Sequence, residues 1–274
     1  MKNLLVTVAL AAFAVSSSAA IQYEFQETTR SDIESKPASQ LVGRAVVDGQ
    51  KSRIDFVAGN VYPPGTYMIS LDGSKNLTFV DPASKSFTQI NAAGVVSSIG
   101  AAKITVENLQ SNVVQLDDHP MIADFPTDHY QLTVTYDMTV TFGNIPVKQK
   151  IRTVVDKWTT VAFGDVADSF MTATVVRTGN PKLDELIQLE ETKIGGFPLR
   201  QLVQITTTNM RGSAPGSKLA VSPTRTHRRE MTITSIKQAA PRPLDFIIPP
   251  AYVKATPSQK DSDVTILSME PAGK

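Results

Sequence analysis

Between positions 117 and 129 the chain carries Asp117, Asp118, His119, Asp124, Asp128 and His129, the densest group of oxygen and nitrogen donors in the sequence. Carboxylates and imidazoles at close spacing are the donor set of hard and borderline cations, and imidazole is also the commonest general base. Two features oppose these readings. Pro120 and Pro126 break the segment, and the spacing of the acids reproduces no known cation loop. An acidic connector is the simpler account, with His129 a half-exposed histidine at the end of a strand, and no metal or other cofactor is expected. Catalysis would need His119 and His129 to converge in one cleft. His227 is the third histidine, and no serine stands in a Gly-x-Ser-x-Gly elbow. The absence of cysteine removes thiolate metal sites, a cysteine nucleophile, redox pairs and a thiol-linked lipid. No catalytic residue is assigned, and the chain reads as a non-enzyme.

A second chemical group is the basic run Arg225, His227, Arg228 and Arg229, beside a loop rich in Gly, Ser and Pro over 211–223. Such runs touch phosphates or anionic headgroups, but a solvated loop edge is the commoner case. Without interleaved aromatics, a nucleic-acid module or a Gly-rich phosphate loop, neither nucleic acid nor nucleotide is an expected partner. The net formal charge is +1. Removing residues 1–20 takes away Lys2 and leaves 26 basic against 26 acidic residues, so no long-range attraction of polyanions follows.

The elements that must position these groups are mostly strands. From Gln131 to Phe142, the residues Leu132, Val134, Tyr136, Met138, Val140 and Phe142 alternate with polar ones. Period two means a strand with one dry face. Gly143-Asn144 turns the chain, and Ile145 to Val155 returns with Ile145, Val147, Ile151 and Val155 on one side and Lys148, Lys150 and Arg152 facing water. Shorter strands are expected at 21–29, 40–47, 52–57, 66–71, 77–80 and 86–90, separated by Asp48-Gly49, Pro63-Pro64-Gly65, Asp72-Gly73-Ser74 and Asp81-Pro82. Two later strands are expected at 199–208 and 230–236. Helices are expected over 165–175, over the Asn180-capped stretch ending at Gly195-Gly196 with Leu183, Leu186, Ile187 and Ile194 on one stripe, and over 94–102. The fold class is therefore mainly β (α+β): antiparallel neighbours in a meander, with two or three short helices over the dry face.

Residues 1–20 read as a signal peptide: Lys2, an apolar run from Leu4 to Val15, then small residues suited to cleavage before Ala20 or Ile21. As a helix the run would span about 18 Å, short of a hydrocarbon core of about 30 Å. Residues 21–254 suit one domain whose core needs no disulfide or metal, and 255–274 read as a flexible tail. No later segment is apolar for eighteen residues, so no stable membrane insertion is expected. A transmembrane barrel would also alternate, but aromatics are only 7% of the chain and form no girdles.

Tyr136, Met138, Phe142, Trp158, Phe163, Phe170 and Met171 form a large apolar supply within one hairpin and the segment after it. Core packing is the ordinary fate of each. A long curved sheet under few helices favours a cavity instead, lined by Leu132, Val134, Tyr136, Met138, Val140, Phe142, Trp158, Phe170 and Met171.

Five stretches in order carry a family resemblance: Met68 to Thr88, the segment from Phe125 through the alternating strand, Val155 to Thr160, Gly195 to Arg200, and Met231 to Lys237 leading to Phe246 to Tyr252. Together they resemble the lipoprotein-carrier (LolA/LolB-like) superfamily of bacterial periplasmic proteins, including its uncharacterised outer-membrane lipoprotein-sorting relatives. The resemblance implies an incomplete antiparallel β-barrel of about eleven strands whose concave apolar face is covered by helices and accepts acyl chains. It implies a periplasmic, non-catalytic carrier for a lipid, an acylated protein or another hydrophobic ligand; a monomer is expected. An envelope interaction protein with a filled core is the alternative. The chain has no lipobox cysteine, which argues against a membrane-anchored receptor.

Overall fold

The computed structural model describes residues 20–32, 37–73, 75–91, 102–142, 145–163, 185, 193–210 and 224–255. They form one large sheet and a small hairpin. The strands are β1 (Ile21–Ser31), β2 (Ser39–Asp48), β3 (Lys51–Gly59), β4 (Tyr67–Ser70), β5 (Asn76–Asp81), β6 (Ser86–Asn91), β7 (Ala102–Leu116), β8 (Met121–Ile122), β9 (Phe125–Pro126), β10 (Asp128–Phe142), β11 (Ile145–Thr160), β12 (Phe197–Met210), β13 (Arg225–Gln238) and β14 (Val253–Lys254). The main sheet has twelve strands in the order β14-β6-β5-β4-β3-β2-β1-β13-β12-β11-β10-β7, and β8 pairs with β9 alone. Eleven strands run antiparallel to their neighbours; β14 adds to β6 in parallel. The sheet is open, with β14 and β7 at its edges.

All ten expected strands are present, most of them a few residues longer than the alternation marks. Turn chemistry explains the joints. Asp81 Oδ1 accepts from the backbone N–H of Ala83 at 2.9 Å and of Ser84 at 3.4 Å, holding the β5–β6 turn. Gly59 (φ 125°) approaches the Gln40 carbonyl so closely that a Cβ would lie 2.1 Å from its oxygen, which reserves the end of β3 for glycine.

Register assigns the residues to two faces. On the first, the core face, Tyr23, Phe25, Ile54, Phe56, Phe197, Leu199, Met231 and Ile233 are buried in one cluster together with Phe163. Tyr23 meets Phe197 edge-on at 5.9 Å, and Phe56 stacks on Tyr62 at 4.1 Å. This part of the face is filled by the protein's own side chains. On the opposite face Tyr67, Ile69 and Val80 are covered by Ile248 and Tyr252. The segment that brings these two residues runs from Pro241 to β14 and is pinned by Arg53, whose guanidinium donates to the Asp245 carbonyl at 3.3 Å, pairs with Asp55 at 2.6 Å and lies 4.0 Å from the Tyr67 ring centre. Val253 and Lys254 pair with β6 and the Ala255 N–H donates to the Phe87 carbonyl, while 256–274, most of the expected tail, lie outside the described residues.

Three expectations change. β7 answers to no expected element: Ala102, placed in the expected 94–102 helix, begins this strand, and 94–101 lie outside the described residues. The basic run is not a loop edge, because β13 starts at Arg225. The helices covering the dry face are not seen. Among the described residues only Glu185 and Lys193 are helical, both within the Asn180-capped stretch; the rest of that helix and the 165–175 helix, with Phe170 and Met171, lie outside the described residues. No described helix is long and apolar enough to cross a membrane.

Candidate functional site

The dry face of β10 is real and extends across its neighbours. Leu132 pairs with Val155 and Val113, Tyr136 with Ile151, Met138 with Val106 and Gln149, Val140 with Val147, and Val134 with Thr153 and Ser111, so one face carries mostly apolar residues from three strands with polar ones among them. Paired residues in antiparallel strands project to the same side, which makes this a continuation of the core face. Leu132, Val134 and Met138 are buried, while Tyr136 and Val140 are half-buried. Ile194, just before β12, packs on Leu132, Val134 and Val155, with Leu109, Val113, Tyr130, Tyr136 and Val203 around them. Ile194 belongs to the apolar stripe expected for the Asn180-capped helix, but it is not helical here. Burial pushes the Tyr136 hydroxyl up to about 12 from its ordinary 10.0. Only the backbone of Phe142 is described, in register with Ile145.

Trp158 is separated from this set. It pairs with His129, an odd position of β10, whereas the apolar row occupies even ones, so Trp158 projects from the opposite face. There it belongs to a polar cluster. The indole stacks on the His129 ring at 4.1 Å, its Nε1 donates to Asp118 Oδ2 at 3.3 Å, and the Arg200 guanidinium lies 4.7 Å from its centre. His129 Nδ1 lies 2.5 Å from Asp118 Oδ1 and Nε2 lies 3.2 Å from Asp156 Oδ1, which also accepts from Gln131 at 2.9 Å. The hydrogen bond from His129, aided by the indole N–H, holds the Asp118 carboxyl below the usual carboxylate range. Arg200 in turn pairs with Glu230 at 2.6 Å.

Chemically this cluster is a latch. His129 has a carboxylate at each ring nitrogen, no serine or other hydroxyl nucleophile is among its partners, and His129 itself is buried rather than half-exposed. Its neighbours tie the connector at Asp118 to β10 and β11. His119 does not converge with it; it pairs with Asp128 at 3.2 Å on the surface. His227 lies on β13, paired with Ser31 and Ile205, on the core face. Among the described residues no group of three or more His, Asp or Glu side chains is arranged to hold a metal ion. An open cleft of about 590 Å³ beside the β8–β9 hairpin is lined by Met121, Ile122, Arg200, Thr232 and Thr234 among others, and this cleft has no precedent in the sequence reading.

No family model matches the chain, and no curated protein matches it. Among solved structures the chain is similar to the crystal structure of LolA superfamily protein NE2245 from Nitrosomonas europaea, at 8% identity, over 84% of this chain and 90% of that one, with a TM-score of 0.32. A likeness of that degree carries no argument about ligand or activity, for which the geometry above is the ground.

Proposed function

We propose that this is an exported, non-catalytic binding protein of the bacterial envelope that holds an apolar ligand, a lipid or the acyl chain of a lipoprotein, against the core face of β7, β10, β11 and β12. The observation that carries the reading is the largely apolar field over these strands, broken by Ser111, Gln149, Thr153 and Thr207. Tyr136 and Val140 within it keep accessible surface, unlike the sealed aromatic cluster over β1 to β3. Burial of apolar surface at about 25 cal/mol per Å² supplies affinity without a cofactor. The proposed site is Leu132, Val134, Tyr136, Met138, Val140 and Phe142, with Phe170 and Met171 as candidates from outside the described residues. Trp158 leaves the set. The proposal includes a leader at residues 1–20, a periplasmic location and a monomeric state.

Protein purified from its native envelope fraction and extracted with organic solvent should release a stoichiometric lipid or acylated species on mass spectrometry. An empty extract, together with one protein partner recovered by crosslinking in cells, would replace this reading with the envelope interaction protein. The packed cluster around Tyr23, Phe25 and Phe197 is the feature that favours this second reading.

A further inference from the structure

Resting on the carrier reading, we infer that the ligand is an anionic amphiphile, with a phosphate headgroup held at β13 and its acyl chain laid across β12 and β11 onto β10. Register aligns three rows on the core face. Leu132, Val155, Val203 and Arg229 form the first; Val134, Thr153, Ile205 and His227 the second; Tyr136, Ile151, Thr207 and Arg225 the third. Every row begins apolar on β10 and ends in a basic or imidazole side chain on β13. Three interstrand spacings of about 4.8 Å separate the ends by about 14 Å, within reach of a dodecyl chain.

The charges at this end of β13 are Glu27, Arg229, Arg225 and Asp32, whose carboxylate accepts from the Thr226 N–H at 2.7 Å and forms no ion pair with Arg225. Glu27 of β1 is taken by Arg229 at 2.8 Å, both groups being largely buried, and this pair is internally neutral. Arg225 and His227 are half-buried, and their side chains have no hydrogen-bond or ion-pair partner among the described residues. A guanidinium beside an imidazole is suited to phosphate oxygens, Arg supplying a planar fork of N–H donors. Arg228, one residue away, projects from the opposite face and interacts with Glu230 at 3.5 Å.

The test uses the full mature chain and isothermal titration, below the micelle-forming concentration, with dodecyl phosphate, dodecyl maltoside and inorganic phosphate. Dodecyl phosphate should bind at least about tenfold more tightly than dodecyl maltoside, as expected for charge-assisted contacts. The double variant Arg225→Ala/His227→Ala, checked for an unchanged urea midpoint, should reduce that preference to within about twofold, and Arg228→Ala should retain it. Equal binding of the two amphiphiles, or a preference that survives the double variant or is lost in Arg228→Ala, would overturn the headgroup assignment while leaving the carrier reading intact. Inorganic phosphate binding as tightly as dodecyl phosphate would overturn it in favour of a free-anion site. If neither amphiphile binds, the carrier reading itself falls.

Discussion

Two side chains show how neighbours decide what a titratable group does here. Asp118 is held below the ordinary carboxyl value of 3.8, chiefly by its hydrogen bond with His129. A carboxyl depressed in the folded state contributes stability above its unfolded value, and that contribution is lost as pH falls through the lower folded value. Asp118→Asn should therefore flatten the acid limb of a stability–pH curve below about pH 4, read from urea midpoints, and leave neutral pH less affected than a core substitution would. Trp158 is the single tryptophan and stacks on His129, so its fluorescence follows the same transition. Tyr136 behaves in the opposite sense. Its hydroxyl is raised by burial to about 12, so stability declines as pH climbs from 10.0 toward 12, and Tyr136→Phe should remove this alkaline decline while deleting one late phenolate step from the ultraviolet titration. An unaltered alkaline curve in the variant would contradict the burial assigned to that ring. Little of this was legible beforehand. His129 reads as an ordinary strand-end histidine because its partners Asp118 and Asp156 come from the connector and the return strand, and only the folded register brings them together.

Strand alternation and turn residues locate most elements, and the failure at β7 has a physical cause. Ile104 and Val106 mark one face, but Asn108 adopts φ 53° and, with Leu109, occupies a bulge opposite Tyr136, after which Leu109 and Val113 resume that face out of phase. A period-two reading breaks at that point. The bulge is held by Asn108, whose side-chain amide donates to Asp137 at 2.7 Å. Trp158 is misplaced for a related reason: the apolar row of the return strand occupies odd positions through Val155, and an aromatic at position 158 falls on the other side. The strap from Pro241 to β14 was illegible because Arg53 and Tyr67, which receive it, lie far away in the chain. An element-level prediction concerns Gly43 of β2. It pairs with Phe25 of β1, and a Cβ there would lie 2.4 Å from the Phe25 ring, which is fully buried. Gly43→Ala should cost about 1–3 kcal/mol through overpacking, seen as a lower urea midpoint with an unchanged slope. Phe25→Leu in the same chain should recover part of that loss, and purely additive effects would show that the two residues do not interact.

Across the molecule, the core face divides in two. Over β1 to β3 and the near ends of β12 and β13, aromatic side chains fill it. Over β7, β10, β11 and β12 aliphatic residues and two tyrosines are mixed with Ser111, Gln149, Thr153 and Thr207, with Ile194 packed on Leu132, Val134 and Val155 and a basic border on β13. The opposite face is occupied elsewhere by the strap and by the His129 latch. The proposed guest lies on the even-numbered row of β10, and its place can be mapped. A photoactivatable fatty acid, bound to the intact mature protein, irradiated and followed by peptide mass spectrometry, tests this most directly. The account predicts labels on the even-numbered residues of β10, foremost Tyr136, Met138 and Val140. Labels concentrated on Trp158 and the strap, or spread without preference over the surface, would contradict it.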